Sequence, residues 1–181
     1  MAPLTLKRDL GKLEPRAAGL PPREVQELWF ATRRREWKSL CLVPAAPGVS
    51  VLGIAEALAQ VGRVIRRIPI TVLKAEGMDL AGVAEMVMQI TGEVAPLAPT
   101  STAWTSGSTR GGLPDPISEN APVIIASESV VSNPLILAVA LAADSIVLCV
   151  TLGETDLPSA RHSIELIGRE RLMGVVLVRP R

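Results

Sequence analysis

Aromatic, histidine and cysteine side chains are scarce in this sequence. Its 181 residues include three Trp, one Phe, no Tyr and a single histidine, His162. A lone histidine without a cysteine or carboxylate array argues against zinc sites and against a Ser-His-Asp triad, so we expect it on a helix surface. The two cysteines, Cys41 and Cys149, lie in apolar runs, which predicts buried free thiols of a reducing compartment.

Net charge and long apolar runs are also lacking. The formal charge is +1, which argues against a dedicated nucleic-acid partner. No apolar run reaches the roughly 20 residues that span a bilayer; the nearest, 133–150, is interrupted by Asp144. The first residues lack the apolar core of a signal peptide. We therefore expect a cytoplasmic protein that does not span the membrane.

Small aliphatic residues are abundant, and 48% of the chain is hydrophobic. Apolar runs predict strands near 38–43, 68–73, 121–126, 145–151 and 173–178. Helical patterns fall between or before them at 23–37, 50–62, 79–92, 133–143 and 157–170. This alternation predicts an α/β fold with a doubly wound, mainly parallel five-stranded sheet.

Domain organisation follows from composition. Residues 1–22 are polar and proline-containing, which predicts a flexible N-terminal arm. Residues 23–181 form a single predicted domain. Within it, the stretch 93–120 is rich in Pro, Gly, Ser and Thr and is interpreted as a long loop.

The first predicted helix carries a candidate interface. Trp29 and Phe30 are adjacent, so they cannot share one helix face. One ring can pack on the body while the other is exposed as a contact anchor; both rings packed on the body is the alternative. Arg33, Arg34 and Arg35 follow, and we expect them to form the last turn of the helix beside that anchor.

In the order of its predicted elements and in its motifs, the chain resembles the cytoplasmic ATPase domain of bacterial tyrosine kinases, which are the partners of polysaccharide co-polymerases. That domain belongs to the deviant Walker A group, together with plasmid-partition and septum-site ATPases. The resemblance covers about residues 23–181, from "REVQELWFATRRREWKSLCLV" through the turn "AAPG" and the helix end "LAQVGRV". Its most specific part is the stretch from "APVIIASESVVSNPLILAVALAAD" to "GVVLV". It implies a P-loop-type NTPase fold.

The resemblance places the family's phosphate loop, G-x-G-K-[ST]-T, directly after the first strand. These positions read Gly48, Val49, Ser50, Val51 and Leu52 here. A working loop needs a lysine to neutralise phosphate charge and a hydroxyl to hold Mg²⁺. Val51 stands at the lysine position and Leu52 at the hydroxyl position. The predicted nucleotide loop is therefore degenerate.

The family's metal positions are changed as well. The acidic pair that ends the second strand falls on Lys74 and Glu76, and the aspartate of the third strand falls on Ala126. Family kinases also phosphorylate a tyrosine-rich tail, whereas this sequence contains no tyrosine. Three altered motifs together argue against Mg-ATP hydrolysis. We expect no catalytic residues, no metal and no cofactor.

These losses lead to the hypothesis of a pseudokinase, or pseudo-ATPase, that acts by binding. The resemblance implies a membrane polysaccharide co-polymerase or export component as partner. The protein would then be an adaptor or regulator of exopolysaccharide (capsule-like) synthesis and export, held by that partner at the inner face of the cytoplasmic membrane. Homo- or hetero-oligomers are compatible with this. The alternative is a partition-ATPase-like positioning scaffold that pairs with an active paralogue.

Two further interpretations stay open. The turn at Gly48–Ser50 precedes a helix, so the helix amides could hold a phosphate without metal. Val51 and Leu52 favour a turn kept for folding instead, since apolar side chains fill space that phosphate needs. An enzyme with unrelated chemistry in the loop 93–120 would have to use Asp115 and Glu119.

Overall fold

A computed structural model of the chain describes residues 21–67, 69–92 and 121–179. The described part contains five helices and five strands in strict alternation. The helices are α1 (Arg23–Thr32), α2 (Leu52–Arg66), α3 (Leu80–Thr91), α4 (Ile136–Ala142) and α5 (Leu157–Ile167). The strands are β1 (Ser39–Pro44), β2 (Thr71–Ala75), β3 (Val123–Ser127), β4 (Ser145–Thr151) and β5 (Leu172–Val178). The predicted arm, apart from its last two residues, and the predicted loop 93–120 lie outside the described residues.

All described strands belong to one parallel sheet in the order β2-β3-β1-β4-β5. The central strand β1 is buried along its whole length, as expected for a parallel strand covered on both faces. The prediction of a doubly wound α/β fold is therefore confirmed, and the topology is consistent with a P-loop-like domain. None of the helices in the described ranges is long and apolar enough to cross a membrane.

The two faces of the sheet carry separate apolar layers. Helices α1 and α2 pack on one face, around Trp29, Leu58 and Val61. Helices α3, α4 and α5 cover the other, around Met86, Val139 and neighbouring residues. In the strand order β2-β3-β1-β4-β5, the connection from β1 leads towards the β2 edge strand, whereas the connection from β3 leads in the opposite direction, to β4. The carboxyl ends of β1 and β3 therefore flank a topological switch point, where open α/β sheets bind their ligands.

Helix α2 is longer than the sequence predicts. It continues to Arg66 and ends where Arg67 adopts a left-handed conformation with φ of 55°, so the predicted end at Gly62 is wrong. Gly62 is buried, and a Cβ placed there would collide with the Trp29 ring and with Ile70. Because Gly62 has no side chain, α2 can pack closely against Trp29 and Ile70. Because the helix is longer, β2 begins at Thr71, and the predicted strand at 68–73 is placed too early.

Helix α1 is shorter than predicted. It ends at Thr32, and the chain then turns so that Trp37 packs edge-on against Trp29, with ring centroids 5.9 Å apart. The indole Nε1 of Trp37 donates to the carbonyl of Thr32 at 3.1 Å. Arg33, the C-cap residue, and the arginines after it therefore follow the helix instead of forming its last turn.

The remaining elements agree with the predicted ones within a few residues. Asp79 caps α3 by accepting from the Gly82 N–H at 2.9 Å, and Gly92 ends the helix with φ of 72°. Leu80, the first residue of α3, is 69% exposed. Its position directly after the cap points it away from the sheet.

Candidate functional site

The carboxyl ends of β1, β2 and β3 surround a small cavity at the topological switch point. Its volume is about 190 Å³, below the roughly 300–1,000 Å³ of typical small-molecule sites. The lining residues are Gly48, Val49, Ser50, Glu76, Glu128, Ser129 and Ser132. The fold therefore brings the turn at Gly48–Ser50 together with Glu76, and adds a second carboxylate and two serines after β3.

The turn before α2 is open at its backbone, whereas the side chains that follow it face the core. Gly48 has φ of 76° and open space around its Cα, so the turn is tight and reachable. Val51, where the sequence resemblance expects a lysine, is fully buried in the core beneath α2, and Leu52 packs partly against the same core. Val51 is also the N-cap of α2 and provides no side-chain cap. Neither side chain is available to a ligand in the cavity.

Glu76 connects the turn to the end of β2. Its Oε1 accepts a hydrogen bond from the Ser50 hydroxyl at 3.1 Å, and its Oε2 forms an ion pair with Lys74 Nζ at 3.0 Å. The Lys74 side chain is 56% exposed, so this pair contributes at most about 1 kcal/mol to stability. The lysine next to the cavity is thus already paired with a carboxylate.

Glu128 connects three segments and was missed at the sequence level. Its Oε1 accepts from the Gly77 N–H at 3.2 Å and from Asn133 Nδ2 at 2.8 Å. Asn133 Nδ2 also donates to the carbonyl of Met78 at 3.1 Å. The carboxylate therefore holds the β2–α3 turn against the segment before α4. A glutamate directly after an apolar strand was the available signal.

Ala126 and Ser127 are structural residues at the end of β3. Ala126 is fully buried and lies between Leu42 and Lys74 in the sheet register. The buried Ser127 hydroxyl donates to the carbonyl of Leu42 at 3.0 Å. Ala126 cannot hold a metal, and Ser127 is not positioned as an exposed nucleophile.

The thiols and the histidine are placed as the sequence predicts. Cys41 and Cys149 are free and buried, and burial raises the pKa of each thiol to about 12. His162 is exposed on α5. Across the described ranges, no group of three or more His, Cys, Asp or Glu side chains could hold a metal ion.

The candidate interface on α1 divides into packed and exposed residues. Trp29 is 2% exposed and belongs to the core, whereas Phe30 is 57% exposed. Arg33 Nη1 donates to the carbonyl of Trp37 at 3.2 Å, and its guanidinium lies 5.0 Å from the centre of that ring. Arg34 and Arg35 are exposed. Phe30, Arg34 and Arg35 are therefore the residues of this group that can meet a partner.

Comparison with known proteins adds no relative: no protein-family model matches the chain, and no curated protein matches its sequence.

Proposed function

We propose that this chain is a pseudo-ATPase that acts by binding another protein and hydrolyses no nucleotide. The observation that carries the proposal is the charge of the switch-point cavity. Glu76 and Glu128 line it, and no lysine or arginine does so among the described residues. Carboxylates at this position repel the phosphates that a P-loop site must attract.

The side chains of the turn support the same conclusion. Phosphoryl transfer depends on positioned positive charge, supplied by the loop lysine and by Mg²⁺. Val51 points into the core where that lysine would begin, and Lys74 is paired with Glu76. With Ala126 buried in β3, no aspartate is available there for the metal. The domain retains the scaffold and the loop without the groups that perform the reaction.

The partner is proposed from the resemblance. A bacterial tyrosine kinase ATPase domain works beside a membrane polysaccharide co-polymerase. A domain of that kind without catalysis would act as a cytoplasmic adaptor or regulator of exopolysaccharide synthesis and export. It would need no cofactor, and its binding would not depend on a nucleotide cycle.

Calorimetric titration with ATP and ADP, each with and without Mg²⁺, tests the pseudo-ATPase proposal. We expect no binding heat at micromolar to millimolar nucleotide. A micromolar dissociation constant for either nucleotide, or Mg²⁺-dependent phosphate release, would overturn the proposal.

Affinity capture from detergent-solubilised membranes tests the partner. We expect recovery of polysaccharide co-polymerase or export components, unchanged by added ATP. Capture without any such component would contradict the proposed partner. Recovery of an active partition-type ATPase instead, with a changed hydrolysis rate on mixing, would favour the positioning-scaffold alternative.

A further inference from the structure

Helices α1 and α2 end at the same edge of the sheet. Helix α1 leads into β1, and α2 returns from the end of β1 towards the start of β2, so both carboxyl ends lie at the edge opposite the cavity. Trp29 of α1 contacts α2 at Gly62, one turn before Arg66. Burial lowers the pKa of Arg33, and the positive charge of Arg66 lowers it further, consistent with the two helix ends being neighbours.

Arginines gather at this edge, and some of them are committed to the fold. Arg33 donates to the carbonyl of Trp37, and Arg63 Nε donates to the carbonyl of Ile70 at 3.0 Å. The remaining group is exposed, and we call it the arginine end: Arg34, Arg35, Arg66 and Arg67.

The charges of the arginine end are not paired with carboxylates in the part of the chain that the structure describes. Acids at the same edge are Glu36, whose charge acts on Arg33, and Asp144, which accepts from the N–H groups of Lys38 and Ser39. At the opposite edge of the sheet, Glu76 and Glu128 line the cavity. These exposed arginines therefore collect at one end of the domain, and the two cavity carboxylates lie at the other.

Exposed apolar side chains accompany these arginines. Phe30 follows Trp29 directly, so it projects about 100° away from the packed face of α1. Val64, 53% exposed, and Ile65, 41% exposed, occupy the last turns of α2 just before Arg66. Apolar side chains flanked by arginines are the composition of surfaces that lie in the headgroup region of a bilayer.

We propose that the arginine end, with Phe30 and Val64, docks on an anionic lipid surface. The arginines meet headgroup phosphates, while the two apolar side chains enter the boundary between headgroups and acyl chains. Aliphatic side chains such as Val64 offer nucleic acid neither stacking nor hydrogen bonds, which favours lipid over RNA. The two carboxylates at the opposite end orient the domain with the cavity away from the membrane. This contact goes beyond the proposed function, because it requires no protein partner.

Vesicle flotation of the full chain tests the arginines. We expect the protein to float with phosphatidylcholine vesicles that contain phosphatidylglycerol, not with phosphatidylcholine alone, and to be released as salt is raised. Arg34→Gln and Arg66→Gln should each weaken binding about fivefold. Arg161→Gln, an exposed arginine on α5, is the matched control and should leave binding unchanged.

A second pair of variants tests the apolar contact. Phe30→Ala should weaken vesicle binding about tenfold, because a partly buried aromatic side chain is lost. Leu80→Ala, which removes an even more exposed apolar side chain from α3, should have no effect.

Three results would overturn the proposal. They are vesicle binding that does not depend on lipid charge, an equal loss of vesicle binding in the variants and their controls, and capture of single-stranded RNA by a chain that does not float with vesicles. The salt titration uses the unaltered protein, so the proposal can fail even if a variant is unstable. Loss of lipid binding leaves the nucleotide titration unaffected, so the two proposals fail separately.

Discussion

Ser50 and Glu76 join the turn that follows β1 to the segment that follows β2. The Ser50 hydroxyl donates to Glu76 Oε1 at 3.1 Å, across the mouth of the cavity. The same carboxylate pairs with Lys74 at 3.0 Å, and Glu128 lines the cavity beside it. A bound phosphate would have to displace these contacts and lie beside two carboxylates. The hydrogen bond thus ties the turn after β1 to the end of β2.

Neutralising the two carboxylates should therefore admit an anion. In the double variant Glu76→Gln and Glu128→Gln, Lys74 loses its partner and the cavity loses both negative charges. The glutamines keep acceptors for Ser50 and for the Gly77 N–H. We expect weak, millimolar binding of inorganic phosphate in calorimetry, absent from the unaltered protein. No binding in the double variant would show that shape, not charge, excludes phosphate.

Gly62 should tolerate no side chain, because it lies against Trp29 and Ile70 within α2. Gly62→Ala should lower the free energy of unfolding by about 1–3 kcal/mol, since the added methyl group forces the core apart. Gly53→Ala is the matched control in the same helix, where a Cβ meets open space. It should raise stability by about 0.5–1 kcal/mol. Urea unfolding measures both, and equal effects would disprove the packing role of Gly62.

Much of the fold could be predicted because local pattern and tertiary packing agree. The apolar strands β1, β3 and β4 and the extent of α3 follow from sequence. The bounds of α2 and β2 do not, because Gly62 ordinarily signals a helix end and here serves a contact with Trp29. Likewise, the shortened α1 depends on Trp37 packing back on Trp29, a contact that helical periodicity cannot reveal.

The candidate site was predictable in position rather than in composition. The resemblance singled out Gly48 and Glu76, and both line one cavity because the carboxyl ends of parallel strands meet at one edge. Glu128 was missed, since its importance depends on bonds to Gly77 and Asn133, on different segments. The proximity of Arg66 to Arg33 could not be predicted from the sequence for the same reason, because residues of the two helices come close only when α1 packs on α2.

Asp144 should make stability sensitive to acid. Burial alone would raise its pKa, but hydrogen bonds from the N–H groups of Ser39 and Lys38, both 2.8 Å, outweigh burial and lower it. A carboxyl with a lowered folded-state pKa stabilises above its unfolded pKa of about 3.9 and loses that contribution as pH falls through the folded value. Asp144→Asn should therefore be less stable than the unaltered protein at neutral pH.

The difference caused by Asp144→Asn should stay constant from neutral pH to about pH 5 and shrink below about pH 4. Unfolding free energies of both proteins across this range measure it. A difference that persists unchanged in acid would mean that the carboxylate charge contributes nothing and that only its shape matters.

The two buried thiols should react only when the protein unfolds. Burial raises the pKa of Cys41 and Cys149 to about 12, so almost no thiolate exists near neutral pH, and reagent cannot reach the sulfur in the core. Under native conditions, a disulfide reagent such as dithionitrobenzoate should therefore modify both thiols only as fast as the chain opens. When opening limits the reaction, the rate should not depend on the reagent concentration. The same reaction in denaturant should be fast for both thiols. Native modification at the rate of an exposed thiol would contradict the packing of β1 against β4, in which Cys41 pairs with Ile146 and Cys149 with Pro44.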